Sequence, residues 1–114
     1  MARIVATGIA EKLKPLGEIR VIIEGGEVEI EKTTFERKVN GKWEYDFRVE
    51  TVFDVDMKNG PHYPLCAEPE TMRRALFILL EWFGEDGSCW VKEPKHVKVE
   101  GEIEPMPSES GAIY

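Results

Sequence analysis

Three stretches of the chain alternate apolar with polar residues, and another repeats apolar residues at a helical interval. The first alternation opens with Ile19-Arg20-Val21-Ile22-Ile23, a β-branched run suited to a strand. Gly25-Gly26 follows as a two-residue hairpin signal, and Val28 and Ile30 then alternate with Glu27, Glu29 and Glu31. Asn40-Gly41 is a second, stronger hairpin signal. Beyond it Trp43, Tyr45, Phe47, Val49, Thr51, Phe53 and Val55 occupy every second position. That spacing predicts a half-buried antiparallel strand, long enough to need a bend or bulge.

The two turn signals can be checked against each other. A tight Gly25-Gly26 loop pairs Ile23 with Val28 and Val21 with Ile30. A tight Asn40-Gly41 loop pairs Val39 with Lys42 and Arg37 with Glu44, and sets Phe53 against Val28 and Thr51 against Ile30. Together they place Ile19, Val21, Ile23, Val28, Ile30, Tyr45, Phe47, Val49 and Phe53 on one face. A slip of one residue would break that agreement. The expectation is a three-stranded meander.

Residues 1–17 carry mixed signals. Ile4, Val5, Ile9, Leu13 and Leu16 suit a helix, while Gly8 and Pro15 oppose a long one. The preferred reading is a strand followed by an irregular crossing. Residues 57–68, with Asn59-Gly60-Pro61 and Pro64, read as a connector. A helix is expected next, with Pro69 and Glu70 in its first turn and Gly84 as its stop. Met72, Leu76, Leu79, Leu80 and Phe83 form its inward stripe, which Phe77, Ile78 and Trp82 widen. Cys89-Trp90-Val91 suits a short strand, and Val97, Val99 and Ile103 alternate again. The fold class is α+β: an antiparallel β-meander sheet with one long helix packed on its apolar face. Residues 1–104 form a single domain, and 105–114 read as a C-terminal tail.

Composition narrows the function. The 114 residues include 42% hydrophobic ones, too many for a wholly disordered chain. Asp and Glu number 22 against 15 Lys and Arg, a formal net charge of −7. That balance opposes direct binding to nucleic acid or to an anionic membrane surface. The longest apolar run, Ala75–Leu80, is far short of the roughly 20 residues that span a bilayer. No secretory leader pattern is read at the N-terminus, and Cys66 and Cys89 are expected as reduced thiols in a cytoplasmic protein.

Candidate chemistry is sparse. His62, Cys66, Cys89 and His96 lack the spacing of a zinc site. The stretch from Asp54 to Gly60 begins like a calcium loop, but Lys58 stands at a ligand position and Leu65 where a bidentate Glu belongs. No nucleophile constellation or phosphate loop occurs. No catalytic residue, metal or cofactor is expected, and the chain is read as a non-enzyme.

Acids dominate what remains. The predicted outer face of the sheet carries Glu24, Glu27, Glu29, Glu31, Glu44, Asp46, Glu50, Asp54 and Asp56, opposed by Arg20, Arg37 and Arg48. Glu31 would face Glu50 across the strands. Glu27, Glu29, Glu31, Glu44, Asp46 and Glu50 are the candidate surface for a basic protein partner. Carboxylates at strand spacing also suggest mimicry of a nucleic-acid strand. The reading is an acidic interaction module, a regulator or inhibitor. Its alternative is a small-ligand protein with a pocket between helix and sheet near Tyr45, Trp82 and Trp90. Phe77, Ile78 and Trp82 are the candidate self-association patch of a homodimer.

Overall fold

The computed structural model describes residues 1–26, 29–59, 70–84 and 96–103. The elements are β1 (Ala2–Gly8), a 3-10 segment (Glu11–Leu16), β2 (Ile19–Gly25), β3 (Ile30–Val39), β4 (Lys42–Tyr45), α1 (Phe47–Asn59), α2 (Met72–Trp82) and β5 (Val97–Glu100). The five strands form one sheet in the order β4-β3-β2-β1-β5, with every neighbouring pair antiparallel. Ile4, Ile19, Val21, Ile23 and Val97 are fully buried on the inward face, beneath the helices. The α+β class therefore holds, with two helices in place of one. The expected strand at 89–91 and the tail at 105–114 lie outside the described residues.

The Asn40-Gly41 turn forms as its residues require. Both adopt positive φ, 51° and 80°, and Val39 pairs with Lys42 and Arg37 with Glu44. The other loop is longer than two residues. Ile23 pairs with Thr33 and Val21 with Phe35, so Phe35 takes the buried place expected of Ile30. Val28 lies outside the described residues. Gly25 is needed for close approach: a Cβ there would lie 2.1 Å from the Glu29 carbonyl oxygen, beside a register shift between Glu24 and Gly25.

The long strand after Asn40-Gly41 is the main correction. β4 ends at Tyr45, and Asp46 caps a helix instead. Its carboxylate accepts the Arg48 amide N–H at 2.8 Å, and its carbonyl accepts that of Val49 at 3.2 Å. Beyond the cap, Val49, Phe53, Asp56 and Met57 are buried at helical spacing. Val49 and Phe53 belong to both periods, which is why alternation misled. The pairs Thr51–Ile30 and Glu31–Glu50 do not form, and Tyr45 and Phe47 are each 64% exposed. Phe53 reaches the core from α1, 5.2 Å from Phe35 and 5.8 Å from Trp82 between ring centroids.

α2 follows its pattern closely. Met72, Leu76, Leu79, Leu80 and Phe83 are buried, and Gly84 turns the chain at φ 75°. Its N-cap is Thr71, whose hydroxyl accepts the Arg74 amide N–H at 3.1 Å, so Glu70 precedes the cap. Pro69 lies outside the described residues. β1 and β5 occupy the predicted strands, and the 3-10 segment is the irregular crossing.

Candidate functional site

The register of the sheet decides which side chains share its free face. Arg3, Arg20, Lys32, Lys38 and Lys98 stand there with Glu24, Glu36 and Glu100. Arg3 lies 3.5 Å from both Glu24 and Glu100, and Arg20 holds Glu36 at 2.6 Å. Trp43 lies under the Arg20 guanidinium, 4.6 Å from ring centroid to cation, with Lys38 at 5.4 Å. Cations outnumber acids on this face, five to three, contrary to the acidic face expected from alternation. Only Glu24 of the described acids assigned to it belongs there, because the predicted strand carrying Glu50, Asp54 and Asp56 is a helix.

Each candidate acid has its own place. Glu29 and Glu31 are exposed at the start of β3, and Glu44 is exposed on β4. Asp46 is buried as the α1 cap and holds the Arg48 guanidinium at 2.7 Å. That fork and the amide hydrogen bond hold its carboxyl below the usual range despite burial. Glu50, half-buried on α1, accepts the Tyr45 hydroxyl. Glu27 lies outside the described residues. With these acids divided among strand, cap and helix, no evenly spaced row of carboxylates runs along the sheet among the described residues.

The structure instead collects acids along α1 and the entrance to α2. Glu29 bridges to Thr71, and the Ile30 amide donates to the Glu70 carbonyl at 3.4 Å, which brings β3 against residue 70. Glu70 and Glu50 are both close enough to Asp54 to disfavour its ionisation. Its carboxyl is raised above the usual value by partial burial first, then by Glu50 and Glu70, with Lys58 opposing. Glu50, Asp46 and Asp54 also help raise the Tyr45 phenol, chiefly through the Glu50 hydrogen bond. Glu29, Glu70, Asp54 and Glu50 thus form a strip around the edge of β3 and α1. None of the four has an ion pair among the described residues. Asp54 was expected on the acidic sheet face and Glu70 in a helix's first turn, and neither was a candidate partner contact; recognising α1 would have set Glu50 and Asp54 one turn apart.

A cleft of about 200 Å³ opens in this strip, lined by Ile30, Thr33, Phe53, Asp54, Met57, Lys58 and Glu70. The pocket expected near Tyr45, Trp82 and Trp90 does not match it. Tyr45 is exposed, Trp82 is 1% exposed in the core, and Trp90 lies outside the described residues. Ile78 and Trp82 are covered by the chain itself, and only Phe77 of the self-association patch is partly exposed. α1 supplies the cover for Trp82 that a second copy was expected to give.

Among the described residues no group of three or more His, Cys, Asp or Glu could hold a metal ion, and no helix is long and apolar enough to cross a membrane. No protein-family model matches the chain, and comparison with curated proteins and with solved structures found no match.

Proposed function

We propose that this chain is a small non-enzymatic interaction module, a regulator or inhibitor that docks on a basic protein through the strip formed by Glu29, Glu50, Asp54 and Glu70. The contrast between two surfaces carries this reading. On the free face of the sheet Glu24, Glu36 and Glu100 each have an arginine partner, whereas the strip carboxylates have no ion pair among the described residues. A solvated face needs no such concentration of like charge. Holding Asp54 ionised beside Glu50 and Glu70 costs stability, a trade common where a surface serves binding. Exposed Phe47 and Val55 on α1 add apolar area beside the acids. The cleft is smaller than the roughly 300–1,000 Å³ of small-molecule pockets, which favours docking over ligand storage.

Capture on the immobilised chain tests this. A basic protein held by the wild type at low salt, released by salt and absent from a Glu29→Lys/Glu50→Lys column is the expected result. Equal retention on both columns, or no basic protein retained, contradicts it.

A further inference from the structure

The cleft within the strip has walls and a mouth of different chemistry. Ile30, Phe53 and Met57 supply apolar surface, and Asp54, Glu70 and Lys58 supply charge. Phe53 and Met57 are buried core residues held by the packing of α1, so the walls are built before any ligand arrives. Asp54 belongs to α1 and Glu70 stands just before the α2 cap, and among the described residues neither carboxylate has a hydrogen-bond or ion-pair partner. Lys58, four residues after Asp54 on the same helix, lines the cleft without pairing to either.

A volume of about 200 Å³ suits one long side chain better than a metabolite. An apolar wall under a carboxylate rim suits a side chain with an aliphatic stem and a cationic head. Two carboxylates from separate segments of the chain suit a planar fork of donors better than a point charge. We infer that the cleft is the anchor pocket for an arginine side chain of the basic partner, its stem on Ile30, Phe53 and Met57 and its guanidinium between Asp54 and Glu70. This rests on the docking reading above and adds to it a single central contact, the usual distribution of energy at protein interfaces. The position of Asp54 against Glu50 and Glu70 fits the same role, since a bound guanidinium relieves the repulsion that disfavours its ionisation.

The test is an NMR titration of the full chain with a tetra-arginine peptide amide and with its citrulline counterpart, which keeps the shape and lacks the charge. Saturable shifts of the Ile30 and Met57 methyls with the arginine peptide only are expected. Asp54→Asn and Glu70→Gln should each weaken binding about tenfold, and Glu44→Gln, outside the cleft, far less. Thr33→Trp keeps every acid and fills the cleft from an exposed strand position, so it should abolish the methyl shifts; an unchanged spectrum elsewhere shows that each variant folds. Binding weakened equally by Glu44→Gln and Asp54→Asn, and unaffected by Thr33→Trp, would overturn the anchor while leaving the acidic docking surface standing. Absence of any salt-sensitive binding of the arginine peptide would overturn both.

Discussion

The Trp82 indole N–H donates to the Asp56 carboxylate at 2.6 Å inside the core, joining α2 to α1. The same carboxylate receives the Lys12 ammonium at 2.8 Å on each oxygen, which ties in the 3-10 segment as well. Asp56 is 6% exposed, and a carboxylate so placed is tolerable only with partners of this kind. Asp56→Ala strands the Trp82 donor and should cost about 1–3 kcal/mol. Lys12→Met leaves the buried carboxylate its Trp82 hydrogen bond but no counter-charge, and should also cost about 1–3 kcal/mol. Denaturant melts of the two variants check this, and no measurable loss at either would refute it.

Phe47 and Phe53 lie on different faces of α1, one in solvent and one in the core. Phe53→Ala removes the ring between Phe35 and Trp82 and should cost about 3–5 kcal/mol, with Leu79→Ala near 2–5. Phe47→Ala should change stability by no more than about 0.5 kcal/mol, since the ring is in solvent. A large loss at Phe47 in the same melts would restore the long strand and remove α1.

Asp46 gives the fold an acid-sensitive joint. Its carboxyl is depressed below the ordinary 3.8 by the Arg48 fork, so its charge stabilises the folded chain above that value. The contribution fades as pH falls from there through the folded-state value. Asp46→Asn should therefore be less stable than wild type at neutral pH, with the gap closing below about pH 4. A gap independent of pH would show that the Arg48 pair contributes nothing.

Asp54 has the opposite sign. Its carboxyl is raised above 3.8, so ionisation costs stability once the pH exceeds that value, and the full cost is present above the raised folded-state value. Asp54→Asn should be at least as stable as wild type at neutral pH and lose that advantage under acid. Thermal melts across the acidic range distinguish this from an ordinary solvated aspartate, which would show no such crossover.

How far the sequence foretold this arrangement differs by element. Asn40-Gly41 was legible because a tight turn with positive φ restricts its residues so strongly. α2 was legible because its stripe has one period and its stop is Gly84. α1 was not, since Val49 and Phe53 satisfy both periods and β-branched Val49, Thr51, Val52 and Val55 favour strand by propensity. Asp56 concealed its burial by being polar; Lys12 and Trp82, which neutralise and hydrogen-bond it, are distant in sequence. The acid surplus was visible in composition, but the strip is assembled from β3, α1 and residue 70 by long-range packing. No local pattern contains it.

The central claim is that unpaired strip carboxylates, and not the arginine-paired acids on the free face of the sheet, meet a basic partner. Stopped-flow association of the captured protein with wild type, Glu29→Lys/Glu50→Lys and Glu100→Lys, at low and high ionic strength, tests it most directly. The account predicts a slower association rate for the strip variant at low salt, a difference that shrinks at high salt, and a far smaller change for Glu100→Lys on the free face. Equal rates for wild type and the strip variant at low salt, or a larger loss with Glu100→Lys, would contradict it.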